Sequence, residues 1–300
     1  MYRIEYPEPG DIDAVFQFML ACDIEEYGEG DSSREDLEEQ WSEMDLAKDA
    51  WTARDEAGNL IGYACVSGEG ERYGMDVYLH TKLTPPKLED ELMTLCLARV
   101  KEQTAKSHTG KATLTGYATG VNLRMQQVYE RHGFARETTH YRMQIDFAQP
   151  IKAIKWPERL SLSDYTEKDE AELYQLINKA FTWRGREIPT MEAWRNLIFR
   201  GGRYDPRFFV LVREGETLIG AALAYAEETG GWIRQLAVAP EYQGKGLGGL
   251  LLRHMFHLFS QAGLTSTALG VASANSNACQ FYERNGMKKT REFGEYRKIL

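Results

Sequence analysis

The chain has 300 residues, of which 43% are hydrophobic and 27% are charged, a composition typical of globular proteins rather than fibrous or disordered ones. No apolar stretch reaches the roughly 18 residues that a membrane-spanning helix needs, and the first residues lack the basic start and apolar run of a signal peptide. We therefore expect a cytoplasmic protein with no membrane partner.

The net charge of −9 is divided unequally between the two halves of the chain. Residues 1–150 contain 15 Lys and Arg against 28 Asp and Glu, a net −13, whereas residues 151–300 contain 21 against 17, a net +4. The acidic first half argues against nucleic acid as a partner, and the mildly basic second half suits an anionic small ligand. A solvated acidic surface is the alternative explanation of the first half.

The first long helix signal lies in the acidic half, between residues 25 and 49. Ser33 is placed to cap a helix there. Leu37, Trp41 and Met44 follow at helical spacing, which predicts one buried face.

The cysteines and histidines show no metal-binding pattern. The cysteines are widely spaced, which favours reduced and mostly buried thiols. They are Cys22, Cys65, Cys96 and Cys279. His254 and His257 are one helical turn apart, but no third ligand lies near them in the sequence, so we expect no metal site.

Comparison of the chain with itself reveals an internal duplication. The segment Asn59–Gly62 matches Thr217–Gly220, with Leu-Ile-Gly in common. Further on, Val128–Phe134 (VYERHGF) matches Phe281–Met287 (FYERNGM), and an asparagine precedes each segment by six residues. Ordered matches of this kind predict two copies of one domain of about 150 residues, a common domain size.

We place the join between the copies at residues 150–156, where Pro150 and Pro157 bracket a short connector. The first domain is then residues 1–149 and the second is residues 157–300. In the second copy the pattern predicts strand 160–163, two helices, a hairpin of strands 208–212 and 217–225, strand 232–238, a glycine-rich turn, a helix to about residue 262, strand 267–271, helix 275–284 and a last strand near 296–300. The first of these helices has apolar residues at helical spacing, Leu173, Leu176, Ile177 and Ala180. The helix after the glycine-rich turn has one apolar stripe, formed by Leu247, Leu250, Leu251, Met255 and Leu258. This order of elements predicts an α+β fold with a mixed sheet flanked by helices.

The glycine-rich turn, Gln243–Gly249, is the most informative motif. Glycines let the backbone approach a ligand closely, and free N–H groups at a helix start bind phosphate oxygens. The pattern G-x-G-x-x-G at 244–249 matches the dinucleotide fingerprint, which also requires an acidic residue about 20 positions further on. The chain has Leu-Gly-Val at 269–271 instead, which argues against a dinucleotide site.

A second pattern on the same turn is Q-x-x-G-x-G at 243–248. It follows the predicted strand and precedes N-x-x-A-x-x-x-Y at 275–282. In this order the segments resemble the GNAT superfamily of acyl-CoA N-acyltransferases. The resemblance covers nearly all of residues 157–300, and the duplication extends it over the first half. Two such domains in one chain resemble the tandem arrangement of mycothiol synthases.

The resemblance implies that acetyl-CoA binds to the second domain. The strand backbone would pair with the pantetheine arm, and the amides of the turn would hold the pyrophosphate. These cofactor-binding residues are Leu236, Ala237, Val238, Gln243, Gly244, Lys245, Gly246, Leu247 and Gly248. Asn275 would bind the pantetheine, and Tyr282 would protonate the departing thiolate. The alternatives are a helix cap for Asn275 and a packed core tyrosine for Tyr282.

The resemblance does not identify a general base in this chain. The family often uses a carboxylate on or beside its fourth strand, where this chain has Trp232–Gln235. Glu227 and Glu228 are weak candidates that solvation of the turn explains equally well. A water-relayed or already deprotonated amine needs no dedicated base.

The acceptor site is expected, by resemblance, beneath the loop at residues 181–187 and Trp194. Trp183 and Trp194 either line a pocket or pack in the core. The implied acceptor is a small-molecule or peptide amine, and the sequence does not indicate an oligomeric state.

In the first copy, alignment places Glu91 and Met93 where the turn has Gly246 and Gly248. The acidic residues 89–91 would repel a pyrophosphate at a helix start. We therefore expect a degenerate first domain that binds no CoA and in which the aligned tyrosine is structural. The whole chain is expected to be an N-acetyltransferase acting by direct attack, and the alternative is a non-catalytic acyl-CoA-binding or scaffolding protein.

Overall fold

The computed structural model describes residues 1–80, 85, 87–105, 110–181, 188–199, 204–227 and 230–300. Contacts divide the chain into two compact units. Unit 1 contains Met1–His140 together with Glu292–Leu300, and unit 2 contains Tyr141–Arg291. The domain boundaries expected at 149 and 157 rest on sequence matches and stay a prediction.

The order of strands and helices repeats along the chain. The first copy supplies β1 (Tyr2–Glu5), α1 (Ile12–Tyr27), α2 (Arg34–Ser42), α3 (Leu46–Asp49), β2 (Ala50–Asp55), β3 (Leu60–Glu69), β4 (Arg72–Leu79), α4 (Leu88–Ala105), β5 (Thr113–Thr119), α5 (Leu123–Arg131) and β6 (Ala135–Asp146). The second supplies β7 (Leu160–Asp164), α6 (Glu170–Phe181), α7 (Met191–Phe199), β8 (Phe209–Glu214), β9 (Thr217–Ala226), β10 (Gly230–Val238), α8 (Leu247–Gln261), β11 (Ser266–Ala272), α9 (Ser276–Arg284) and β12 (Lys288–Ile299). The predicted α+β class and the duplication are confirmed.

The sheet of unit 1 has the strand order β1-β2-β3-β4-β5-β12. Its β4 and β5 are parallel, but they pair only over Arg72–Met75 and Thr113–Gly116, so the rest of β4 diverges from β5. Strand β12 is antiparallel to β5, with Phe293–Ile299 opposite Thr113–Thr119. The last strand of the chain therefore completes the sheet of the unit that the first residues begin.

The sheet of unit 2 has the strand order β6-β11-β10-β9-β8-β7. Strands β10 and β11 are parallel and in register over Gly230–Trp232 and Ser266–Ala268. On its other side β10 pairs with β9 over its whole length, with a register shift between Ile233 and Gln235. The part of β10 beyond Trp232 thus has a strand partner on one side only among the described residues.

Both faces of the unit 2 sheet are covered because successive strand residues point to opposite faces. Ile219 and Ile233 pack with α8 in one core cluster. Leu218 and Ala237 pack with α6 and α7 in the other. The predicted apolar face of α6 is confirmed, since Leu173, Leu176, Ile177 and Ala180 are all buried.

Several details differ from the expectations. In α8 the buried residues are Leu247, Gly249, Leu251, Leu252, Met255, Phe256 and Phe259, whereas the predicted Leu250 and Leu258 are only half-buried. The cap at Ser33 is confirmed, since its Oγ accepts a bond of 3.0 Å from Asp36 N, but α2 ends at Ser42, before Met44. The last strand begins at Lys288 rather than near residue 296.

The cysteines agree with the prediction of reduced and mostly buried thiols. All four cysteines are free, and three of them are buried. Burial raises the pKa of the Cys22 thiol to about 12, as expected of a structural thiol. None of the helices in the described ranges is both long enough and apolar enough to cross a bilayer.

Candidate functional site

The glycine turn lies where β10 has diverged from β11. After β10 the chain makes a short 3-10 turn at Pro240–Tyr242, and α8 begins at Leu247. Gly244 and Gly246 have φ angles of 72° and 87°, in the left-handed region that favours glycine. An L side chain at either position would strain the turn, which explains two of its glycines.

The start of α8 presents unpaired N–H groups. The backbone N–H groups of residues 244–248 donate to no acceptor in the described part of the chain. The capping residue, Gly246, has no side chain that could occupy the helix start, and the first turn of α8 contains no acidic residue. Because N–H groups and the helix dipole point outward there, the turn is suited to an anion such as a phosphate group.

Side chains at the edge of the turn hold it in place. Gln243 Nε2 donates to Val238 O at 3.0 Å, which ties the turn to the end of β10. The ammonium group of Lys245 lies 5.5 Å from the ring centroid of Tyr242, and Tyr242 Oη donates to Glu214 at 2.7 Å. Of the predicted turn residues, Gln243 and Lys245 are exposed, whereas Leu247 is buried in the core.

Asn275 caps the helix that follows β11. Its Oδ1 accepts a bond of 3.3 Å from Ala278 N, so the helix-cap interpretation of this residue is confirmed. The side chain is 8% exposed, and no described residue accepts a bond from its Nδ2. The amide nitrogen therefore remains available to a ligand while the oxygen serves the helix.

Tyr282 lies seven residues after Asn275, which places both on the same face of α9. Its ring is half-buried and contacts Phe281 edge-on, with 5.2 Å between the centroids. None of the residues of α9 is fully buried, although this helix is strongly amphipathic in sequence. The apolar face of α9 packs against the unit 2 core but is only half-buried.

The equivalent helix of unit 1 is packed. On α5, Met125, Val128 and Tyr129 are buried. Tyr129 is 1% exposed and stacks on Tyr296 with 4.9 Å between ring centroids. It lies so close to Gly116 that a Cβ there would be 2.4 Å from Tyr129 Oη. Burial raises the pKa of Tyr129 well above its ordinary value, so this phenol stays protonated in a structural role.

The asparagine of unit 1 is also engaged by the protein itself. Asn122 Nδ2 donates to Glu26 Oε1, and Thr119 Oγ1 donates to Glu26 Oε2 at 2.7 Å. Burial is the main cause of a raised pKa at Glu26, which these two hydrogen bonds partly offset. This carboxylate lies against the amide that corresponds to the available nitrogen of Asn275.

Acidic residues occupy the start of α4 in unit 1. Glu89 is 6% exposed and is paired with Arg124 and Arg131 of α5. Asp90 accepts bonds from Arg131 at 3.0 Å and His132 at 2.8 Å, which hold the pKa of its carboxyl below the ordinary value. The sequence predicted that these carboxylates would repel a phosphate. In the structure Glu89 and Asp90 are paired with cationic side chains of the protein itself, so these cations are already engaged near the helix start.

The open end of β4 and β5 in unit 1 forms a cavity of about 150 Å³. Carboxylates and aromatic rings line it, among them Asp23, Glu26, Asp76, Tyr78 and Phe293. Such a lining disfavours the pyrophosphate of a nucleotide.

Only some of the residues expected near the acceptor lie in the described part of the chain. Trp194 is 1% exposed and belongs to the core under α6 and α7. Its Nε1 donates to Gln235 Oε1 at 3.2 Å, a contact that the sequence analysis missed. Trp183, Glu228 and most of the loop at 181–187 lie outside the described residues.

The two histidines of α8 have structural partners. His257 Nδ1 lies 2.6 Å from Ile151 O, and Ser260 Oγ accepts a bond of 2.9 Å from Ile151 N, so the connector after β6 is fixed on α8. His254 packs edge-on against Trp156, and burial lowers its pKa. Within the described ranges no three His, Cys, Asp or Glu side chains are grouped as metal ligands.

Comparisons with known proteins bear on this site directly. Residues 170–287, which include the glycine turn and α9, match the family model described as Acetyltransferase (GNAT) family. Residues 170–287 thus form a domain of the GNAT family. The mycothiol acetyltransferase of Saccharopolyspora erythraea is 24% identical over 246 residues, which cover 78% of this chain and 80% of that protein. The match to this relative therefore extends well beyond the second copy.

Solved structures share the tandem GNAT fold. A GCN5-related N-acetyltransferase from Sphaerobacter thermophilus superposes with a TM-score of 0.86 at 23% identity, covering 99% of this chain and 95% of that one. A tandem GNAT protein from the clavulanic acid biosynthesis pathway superposes with a TM-score of 0.73 at 11% identity, covering 100% and 98%. The predicted tandem GNAT architecture is confirmed.

Proposed function

We propose that this GNAT protein transfers the acetyl group of acetyl-CoA to a primary amine at one site, in unit 2. The observation that carries the proposal is the contrast between the duplicated helices. In unit 2 the turn N–H groups and Asn275 Nδ2 donate to no described residue, and the ring of Tyr282 on α9 is only half-buried. In unit 1 the corresponding positions are occupied by Glu89, Glu26 and the packed ring of Tyr129.

The residues of unit 2 suit acetyl-CoA along its length. The amides of residues 244–248 would bind the pyrophosphate, whereas the N–H of Gln243 already donates to Pro240 O at 3.3 Å. The unpaired side of Leu236–Val238 would hydrogen-bond the pantetheine as an added strand. Asn275 Nδ2 would donate to a pantetheine carbonyl. We propose these contacts as the cofactor-binding set.

The reaction requires a proton at the departing sulfur. The amine nitrogen attacks the thioester carbonyl carbon, the carbon–sulfur bond breaks, and sulfur keeps the electron pair. Tyr282 would donate its phenolic proton to that sulfur, and the proton released by the new amide nitrogen restores the phenol through water. In this proposal the amine arrives deprotonated, because Trp232–Gln235 supplies no carboxylate.

The test of this function is an acetyl-CoA turnover assay with detection of free CoA. The amine panel includes polyamines, aminoglycosides, amino sugars, peptides and, because of the mycothiol acetyltransferase relatives, the amine precursor of mycothiol. Amine-dependent release of CoA supports the proposal. Tight binding of acetyl-CoA without release of CoA for any amine would favour a non-catalytic acyl-CoA-binding protein. The cytoplasmic location stays a prediction.

Substitution of Gly246 by glutamate is expected to abolish acetyl-CoA binding, because it adds a strained side chain and a negative charge where backbone meets pyrophosphate. Gly215→Glu is the matched control, since Gly215 also has a positive φ, of 59°, and open space around its Cβ position. Calorimetry on both folded variants checks the expectation. Unchanged affinity in Gly246→Glu would show that the phosphate site lies elsewhere.

Asn275→Asp keeps the oxygen that caps α9 and removes the two N–H donors. We expect acetyl-CoA affinity to fall about tenfold, the effect of about 1.4 kcal/mol for one hydrogen bond. Thermal stability should change little, because the cap to Ala278 is retained. If instead the Tm falls and the Kd is unchanged, Asn275 is only a helix cap.

Titration of acetyl-CoA into the full chain is expected to give one site per chain. The full chain is required because the sheet of unit 1 includes Glu292–Leu300, which a fragment of residues 1–150 lacks. A second site at micromolar affinity that survives in Gly246→Glu would contradict the assignment of unit 1 as a domain that binds no CoA.

A further inference from the structure

The side chain of Gln235 has a fixed orientation in unit 2. Trp194 Nε1 donates to its Oε1 at 3.2 Å. An indole N–H is only a donor, so it must face the oxygen of the amide and not the nitrogen. The two N–H groups of Gln235 Nε2 are therefore directed away from Trp194.

Trp194 is itself held by its surroundings. The side chain is 1% exposed, and its ring lies 5.7 Å from that of Tyr174. Tyr174 Oη donates to Pro189 O at 2.6 Å, which joins α6 to the segment before α7. The indole is thus a rigid support, and the amide that it orients loses little conformational entropy when it binds a ligand.

Gln235 lies at the open part of β10. It follows the last residue that pairs with β11, Trp232, by three positions and stands at the register shift of the strand. Ala237, two residues on, packs in the same core cluster as Trp194, so both residues point to the α6 and α7 face. The side chain is half-buried, and no described residue accepts a bond from its Nε2.

We propose that Gln235 recognises the acceptor, and that its N–H groups select amines that carry a neutral oxygen near the amine. The inference rests on the proposed function, because Gln235 adjoins the Leu236–Val238 segment assigned to acyl-CoA. The amide is neutral, so it does not offset the desolvation of a carboxylate, whereas a hydroxyl, ether or carbonyl oxygen satisfies it. A plain alkylamine leaves both donors without a partner once water is excluded.

The test compares two probe amines of nearly the same shape, 3-aminooxane and cyclohexylamine, in the full-length protein. The ether oxygen of the first can only accept hydrogen bonds. The measured quantity is the ratio of kcat/KM for the two amines, because general damage to the enzyme lowers both values and leaves the ratio unchanged.

Two variants separate donation from packing. Gln235→Glu keeps an oxygen for Trp194 and loses the donors, and Gln235→Met loses both. We expect the ratio to fall about tenfold in each variant, the effect of one hydrogen bond between neutral groups, because only 3-aminooxane forms that bond in the wild-type protein. Trp194→Phe keeps an aromatic ring but loses the N–H that orients Gln235. Because Trp194 is a positioning residue that acts through Gln235, we expect this variant to lower the same ratio.

The inference is overturned if Gln235→Glu keeps the wild-type ratio. It is also overturned if the protein acetylates other amines of the panel but neither of the two probe amines. A third contradicting result is that all three variants lower kcat/KM for both probe amines by the same factor. Failure of the proposed function has a different signature, namely no CoA release with any amine of the wider panel.

Discussion

Replacement of Tyr282 by phenylalanine is expected to lower kcat by about 10²–10⁴ and to leave acetyl-CoA affinity unchanged. The substitution removes one hydroxyl from a half-buried ring, so packing on Phe281 is retained while the proton donor is lost. Steady-state kinetics with release of CoA, together with calorimetry, check both parts of the expectation.

Tyr129→Phe is the matched control because Tyr129 occupies the equivalent position in unit 1. Its hydroxyl donates to Tyr117 O at 3.3 Å, so its removal should cost about 1 kcal/mol of stability and leave kcat unchanged. Wild-type turnover of Tyr282→Phe at every pH would return Tyr282 to a packing role. An equal loss of kcat in both variants would refute the assignment of a single active unit.

Tyr296→Ala is expected to lower the free energy of unfolding by about 3–5 kcal/mol, as for other large aromatic residues removed from a core. Tyr296 is 1% exposed, stacks on Tyr129 and belongs to the main core cluster of unit 1. The control is Ile299→Ala on the same strand, because Ile299 is 78% exposed and its truncation should change stability by less than about 0.5 kcal/mol. Urea unfolding of both variants measures the difference, and equal midpoints would show that β12 does not stabilise unit 1.

The features that could be predicted from the sequence are those that depend on residues close together in the chain. The helical spacing of Leu173, Leu176, Ile177 and Ala180 and the hairpin around Gly215 depend on neighbours in the chain, and both are found. The glycine turn was also predictable, since its residues are contiguous. In α8 the spacing identified the helix, but the width of the buried face depends on the sheet beneath it.

Contacts between distant residues were not predictable. Glu26 and Asn122 are 96 residues apart, and Trp194 and Gln235 are 41 apart. A polar side chain in either position is equally compatible with solvent, so nothing in the residue pattern marks the pair. The strand order of unit 1 was hidden for a related reason, because β6 and β12 follow equivalent helices and periodicity does not specify which sheet each strand joins.

The place of Glu292–Leu300 in unit 1 has a consequence for biosynthesis. A ribosome makes Met1–His140 before unit 2, but the strand that closes their sheet against β5 follows unit 2 in the chain. At about 5–20 residues per second, all of unit 2 is translated in the interval, which lasts on the order of ten seconds. During that time β5 has an unpaired edge that can pair with other nascent chains. Unit 1 thus completes its sheet only after unit 2 has been translated, and a ribosome that stops before Glu292 leaves the edge of β5 exposed to aggregation.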